Sequence, residues 1–356
     1  MRKSQRYLAN LLNVSPMTVS RVLRGKEGVS GEIRERIINA ARQHGLAIPQ
    51  AGIRMAESGP DRRRMPAQVL CLMVPFSISP QGGLSLLPFF GRIVKGALEM
   101  GRELRKEVLL CEDSSATAWP LPVARSQVDG VIRMHPMLRS FDSPARSPVP
   151  AVMLFFEDNE AELVGINDFG GGRLLGGYLA KQGHRCVAFI GRKSPLCTER
   201  LAGWRSALEE AGGRIPDEMV FFIPARADLA AIRTVAETFV ERCIRAPSGN
   251  GGARCTACAV YNDVIAVTVR DVLLEHGVRI PEEMSLVGFD GALPEGCPDF
   301  GLTTALVPLE EIGREAVRLL YWRLETPEAP RRRLTLDVQL REGATVAPVN
   351  MKGVPS

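Results

Sequence analysis

Residues 13–26 read NVSPMTVSRVLRGK. Ser15 is an N-cap candidate, and Pro16 suits the first helical turn, where its missing N–H costs nothing. Val19, Val22 and Leu23 then fall on one face. Pro16, Met17, Thr18, Ser20, Arg21 and Arg24 are left on the other. Upstream, Ser4 can cap a helix through QRYLANLL, where Tyr7, Leu8, Leu11 and Leu12 recur at helical spacing. Downstream, Ser30 can cap a third helix through EIRERIINAARQHG. There Ile33, Ile37 and Ala41 repeat every four residues, and Gly45 is a C-cap candidate. Two short helices joined by a tight turn, with a third beneath, make a helix-turn-helix unit. The second helix of such a unit lies in a DNA major groove with its N-terminal residues at base edges. Arg21 can reach a guanine edge with two hydrogen bonds, and short hydroxyls suit phosphates. Pro16 and Met17 can offer only apolar contact. For each Ser or Thr the alternative is helix capping or solvation.

The charge distribution points the same way. The chain has 356 residues and a net charge of +5. Residues 1–66 hold 13 Lys/Arg against 5 Asp/Glu, and the remainder holds 32 against 35. A basic head on a slightly acidic body suits a polyanion partner for the head; a solvated basic tail is the alternative. The hydrophobic content of 45% is ordinary for a globular chain, and the length suggests two or three domains. The N-terminus is basic but lacks the apolar run of a signal peptide, and no run of 18 apolar residues occurs. A cytoplasmic protein is the default expectation.

From Gln68 the pattern changes. Apolar runs such as VLCLMVP, VLLCE, DGVIRM, PAVMLFF, CVAFIG, MVFFIP, TACAVY and MSLVGFD alternate with amphipathic helical segments. Such alternation predicts an α/β body whose parallel sheets are covered on both faces. Ligands of these folds bind at the carboxyl ends of the strands. Asn262 and Asp263 follow one strand, Asp290 ends another, and Arg200 begins a helix. Carboxylate, amide and guanidinium groups can each make paired hydrogen bonds to vicinal hydroxyls. Asp263 could instead cap its helix, and Arg200 could pair with Glu199 or another neighbour.

The core VSPMTVSRVL, followed by RERI, resembles the DNA-binding head of the lactose/galactose repressor family of bacterial transcription regulators. The resemblance runs on through LVGINDFGGGRLLGGYLAKQGHRCVAFIG, ERLAGWRSALEEAG and YNDVIAVTVRDVLLEHGVRIPEEMSLVGFD. It implies a helix-turn-helix head at 1–48, a hinge at 49–66 and a two-lobed, periplasmic-binding-protein-like body at 67–356. Lobe 1 is expected at about 67–162 and 294–322, and lobe 2 at about 163–293 and 323–347. By resemblance, Pro16, Met17 and Arg21 sit at base edges, with Ser4, Asn10, Ser15, Thr18, Ser20 and Arg24 near phosphates. Arg200, Asn262 and Asp290 match the family's ligand contacts. Phe89 and Phe90 fall where an aromatic often lies near the cleft; they could pack a sugar face or be plain core.

The sequence departs from the family in several places. The hinge reads LAIPQAGIRMAESG, with Met55 near the expected leucine. Met55 could be the minor-groove wedge, since apolar side chains serve that way; the alternative is a weakened hinge. IPARADLAAI has no stacking aromatic, and Gly170 stands where several relatives have an acidic ligand contact. DSSATAWPLPVARSQ is short and broken by proline, and Trp119 within it could add an aromatic wall.

No catalytic constellation is visible. The four histidines are scattered, no H-x-x-x-H or G-x-S-x-G occurs, and GGGRLLGG lacks a Walker lysine. Cys255 and Cys258 have CxxC spacing within a strand-like run and read as buried small hydrophobes. The expected protein is therefore not an enzyme and needs neither metal nor cofactor. It is a sequence-specific transcriptional regulator, most simply a repressor. It would act as a homodimer on a near-palindromic double-stranded DNA operator, under control of a sugar-like effector. The alternative is a solute-binding protein without specific DNA recognition.

Overall fold

A computed structural model describes residues 5–23, 29–43, 69–74, 77–78, 84–85, 88–112, 119–134, 147–156, 160–224, 228–245 and 255–349. The chain forms two compact units, Met1–Pro66 and Ala67–Ser356. Ser4, Arg24, Gly45, Met55 and the expected hinge lie outside the described residues.

The first unit holds α1 (Gln5–Leu12), α2 (Pro16–Leu23) and α3 (Gly31–Gln43). Its core joins Leu8 and Ala9 to Val19, Val22 and Leu23 of α2 and to Ile37, Ile38 and Ala41 of α3. Tyr7 and Leu11 are not on the buried face. They remain 40% and 50% exposed, because α1 turns Leu8, Ala9 and Leu12 inward instead. Ser15 caps α2 as its spacing predicts, its Oγ accepting from Thr18 N at 3.0 Å.

The second unit begins with β1 (Val69–Val74), β2 (Ser77–Ile78), β3 (Leu84–Ser85), α4 (Pro88–Glu103), β4 (Glu107–Glu112), α5 (Leu121–Ala124), β5 (Gly130–Met134), β6 (Ala151–Leu154) and β7 (Glu162–Ile166). It continues with α6 (Asp168–Lys181), β8 (Val187–Arg192), α7 (Pro195–Glu210), β9 (Val220–Ile223), α8 (Leu229–Val240), β10 (Ala257–Val260), α9 (Asp263–Glu275), β11 (Ser285–Val287) and β12 (Thr304–Leu306). It ends with α10 (Leu309–Glu325), β13 (Arg333–Leu336) and β14 (Gln339–Arg341).

Two parallel sheets result. Lobe 1 has the order β13-β7-β6-β5-β1-β4, and lobe 2 has β11-β10-β8-β9. The chain passes between them near 167, 307 and 337, later than the expected second and third crossings. Asp290 N donates to Ala305 O at 2.9 Å and Val307 N to Asp290 O at 3.2 Å, which holds residues up to 306 in lobe 2. β13 pairs with β7, which keeps residues 323–336 in lobe 1. β13 alternates, with Arg333 and Thr335 exposed and Leu334 and Leu336 packed inward, so no continuous apolar run marks it.

Helix packing is close. A Cβ on Gly96 of α4 would lie 1.8 Å from Glu310 O, and one on Gly313 of α10 would lie 2.0 Å from Ile93 O. On lobe 2, Gly172 of α6 and Gly203 of α7 bring those helices together in the same way. Gly172 and Gly176 of GGGRLLGG therefore serve helix contact, while a Cβ on Gly177 would meet nothing within 4 Å. The expected cover on both faces fails at β4. It is an edge strand, α5 is only four residues long, and Leu109 and Leu110 stay 39% and 36% exposed. Cys255 and Cys258 are buried, and burial pushes both thiols up. Among the described residues no helix is long and apolar enough to cross a membrane.

Candidate functional site

In the head, α2 divides its residues by solvent. Val19, Val22 and Leu23 are buried; Pro16, Met17 and Arg21 are exposed, with Met17 at 70%. An exposed methionine at the start of a short helix contributes nothing to the core, so its apolar surface is free for a partner. Thr18 and Ser20 are half-buried, and Asn10 on α1 is exposed. Ser15 Oγ lies 2.8 Å from Thr18 Oγ1, so these two hydroxyls are organised by capping and still reach the surface.

In the body, the strand ends of lobe 2 build a cluster around Arg200. Ser194 caps α7, accepting from Cys197 N at 3.2 Å, and Arg200 follows in the next turn. Its Nε donates to Asp168 Oδ1 at 2.7 Å, and its Nη1 donates to Tyr261 O at 2.8 Å and Asp290 Oδ1 at 3.2 Å. The guanidinium lies 3.7 Å from the ring centre of Phe289 and 4.7 Å from that of Tyr261. Arg200, Asp168 and Asp290 are all buried. Burial opposes the charge on Arg200, and Asp168 and Asp290 outweigh it and hold the guanidinium protonated.

The structure brings Arg200, Asn262 and Asp290 to the same end of the lobe 2 sheet. Asn262 caps α9, its Oδ1 accepting from Ile265 N at 3.0 Å, which leaves its amide nitrogen as the group it can offer. Asp263 is not the cap. It is fully buried, accepting from Thr304 Oγ1 at 2.7 Å and Ala292 N at 2.8 Å. Burial pushes its carboxyl up to about 6 against those hydrogen bonds. Asp290 carries a φ of 107°, unusual for a residue with a Cβ. Arg200 pairs with Asp168, which the sequence reading missed, rather than with Glu199. The signal was present: Asp168 follows strand ELVGI and opens a helix, where a carboxylate favours the dipole. It lies two positions before Gly170, which stands where several relatives have an acidic contact.

Phe89 and Phe90 do not open onto a cleft. Only 8% and 4% exposed, they pack edge to face at 5.3 Å, and Phe89 meets Phe155 at 5.5 Å in the lobe 1 core. The reason is register on α4, which turns both rings onto the sheet. Lobe 1 instead sends Arg92 across: its Nη1 donates to Gly291 O at 3.4 Å, beside Asp290. Trp119 lies under Arg133 at 5.4 Å and lines a cavity of about 580 Å³ with Met153 and the Glu162–Arg323 ion pair. Among the described residues no group of three or more His, Cys, Asp or Glu could hold a metal ion.

Comparison with known proteins accounts for both units. The profile described as bacterial regulatory proteins, lacI family, matches residues 8–47, and that of a periplasmic binding protein-like domain matches 177–346. The chain is 28% identical to the HTH-type transcriptional repressor CytR of Escherichia coli K12, over 86% of this chain and 85% of that one. A LacI family regulator from Enterococcus faecium, solved with bound ribose, superposes with a TM-score of 0.63 at 22% identity, covering 80% of this chain and all of that one. The lac repressor dimer bound to operator superposes at 0.59 and 21% identity, covering 97% and 99%. With a three-helix head whose second helix exposes Met17 and Arg21, and a body of two parallel-sheet lobes, the chain joins a DNA-binding head of the lacI family of bacterial regulatory proteins to a periplasmic binding protein-like body, the make-up of a DNA-binding transcriptional regulator.

Proposed function

We propose that the protein is a repressor that binds a near-palindromic operator as a homodimer, under control of a sugar or sugar derivative held between its two lobes. Residues 1–48 form the DNA-reading head and 49–66 the hinge. Pro16, Met17 and Arg21 read base edges, and Asn10, Ser15, Thr18 and Ser20 lie near phosphates; Ser4 and Arg24, outside the described residues, are assigned to phosphates by the resemblance alone. A two-fold protein fits a two-fold site, which favours the dimer. A DNA partner puts its work in the cytoplasm.

The observation that carries the effector reading is the Arg200–Asp290 pair. It is a buried ion pair at the carboxyl ends of the lobe 2 strands, reached by Arg92 from lobe 1. Burying charge costs free energy, and this cluster sits where a ligand would use it. The ribose bound to the Enterococcus faecium regulator supports a carbohydrate effector here. Effector binding closes the lobes and shifts the balance between DNA-competent and incompetent states, by an amount set by differential affinity. Selection of a bound sequence from a randomised duplex pool, repeated with a panel of monosaccharides, tests the whole reading. A recovered palindrome whose yield changes with one sugar supports it. No preferred sequence at low salt would make the body a ligand-binding protein without operator recognition.

A further inference from the structure

One charged side chain of lobe 1 sits where the sheet calls for an apolar one. Along β5, Gly130, Ile132 and Met134 face α10, with Leu320 against Gly130, while Val131 and Arg133 point to the other side. Arg133 is in register with Met73 of β1 and Met153 of β6 and is 4% exposed. Its guanidinium lies 5.4 Å from the ring centre of Trp119. Among the described residues, α4 and α10 cover the first face, and α5, four residues long, is the one helix on the second. Beside Arg133 this short cover leaves the cavity of about 580 Å³.

We propose that this cavity is a second small-molecule site, separate from the cleft between the lobes, and that it takes a ring-sized organic acid whose carboxylate meets Arg133. Its volume falls within the ~300–1,000 Å³ of ligand pockets. Trp119, Pro148, Pro150 and Met153 supply apolar walls, and a methionine adapts to the body it meets. β7 leaves lobe 1 at its carboxyl end, after Ile166, whereas the cavity reaches the other end, at Glu162. It therefore lies away from the crossings into lobe 2.

The charges of the lining select the ligand. Glu162 is engaged within the protein: its Oε1 accepts from Arg323 Nε at 2.6 Å and its Oε2 from Arg332 N at 2.5 Å. Glu160 is exposed at the rim, where water and salt screen it. Arg133 is buried on the sheet itself. A guanidinium out of water gains most from an anion, and its planar fork bonds both oxygens of a carboxylate at once. Trp119, stacked on the guanidinium, fixes the plane of that fork. One inner cation matches one negative charge, which favours a monocarboxylate over a phosphate monoester with nearly two.

The test uses the full chain labelled with 5-fluorotryptophan and followed by fluorine NMR. It is titrated with benzoate, 2-naphthoate and indole-3-carboxylate, each against its neutral amide. The chain has three tryptophans, and Trp119→Phe assigns the one at the cavity. Trp204, 1% exposed in lobe 2, is the reference. A saturable shift of the Trp119 resonance with at least one acid, and none with its amide, is expected. Arg133→Gln should weaken that binding about ten- to a hundredfold, the worth of hydrogen bonds to a charged group. If that variant fails to fold, Ala151→Leu decides. Ala151 lines the cavity from β6, so the larger side chain should abolish the shift with Arg133 in place. No saturable shift with any acid up to about 1 mM overturns the proposal. So does an equal shift with acid and amide, or binding unchanged in either variant. The sugar panel reads the cleft between the lobes, so neither result decides the other.

Discussion

Arg200 Nη1 and Asp290 Oδ1 meet at 3.2 Å inside lobe 2, where both residues are more than nine-tenths buried. A buried pair of this kind is costly to break from one side, because the remaining charge loses its partner without gaining water.

Arg200→Ala should therefore destabilise the body by about 3–5 kcal/mol, since it strands both Asp168 and Asp290. Urea unfolding of the full chain measures this. A loss under about 1 kcal/mol would mean that water replaces the guanidinium and that the cluster is open. Asp290→Ala should abolish the effector response while leaving operator affinity unchanged. A normal dose response in that variant would remove Asp290 from the site.

If Arg21 reads a base edge as proposed, Arg21→Ala should cost about 1–3 kcal/mol of operator affinity and relax preference at one base pair, since a bidentate guanine contact would carry both. Competition binding against operators varied one position at a time reads the effect. Uniform weakening across all sequences would assign Arg21 to phosphate contact instead.

Gly96→Ala tests the closest helix contact of lobe 1. The added methyl would meet Glu310 O at 1.8 Å, a backbone atom that cannot rotate away. Separating α4 from α10 should cost about 1–3 kcal/mol or more, as overpacking does. Thermal melting checks it, with Gly91→Ala as the control, since a Cβ there meets nothing within 4 Å.

His184 should make the body sensitive to acid. It is 2% exposed, its Nδ1 lies 2.8 Å from Thr256 Oγ1, and burial lowers its pKa to about 4. The neutral ring is favoured in the fold, so its contribution is present above about pH 6.5 and is lost as pH falls towards 4. The loss amounts to roughly 3 kcal/mol. Stability measured from pH 7 to 4 should fall less steeply in His184→Gln than in wild type.

The head was legible because its signals are local. A capping Ser15, a Pro16 at the first turn and apolar residues one turn apart fix α2 without reference to distant parts of the chain. The strand-helix alternation of the body was legible for the same reason. The errors came where local pattern is weak. Tyr7 and Leu11 read as core because an apolar side chain at helical spacing cannot say which neighbours will cover it. β13 is not among the apolar runs of the sequence because an edge strand alternates polar and apolar residues and needs its partner β7 to declare it.

The sequence by itself determined the helix-turn-helix head, the α/β body and the candidacy of Arg200, Asn262 and Asp290. Only the tertiary structure decided what those side chains meet. Asp168 lies 32 positions from Arg200 and Asp290 lies 90 positions from it. No spacing rule links residues so far apart; two helices, α6 and α7, and the lobe 2 sheet bring them to one point.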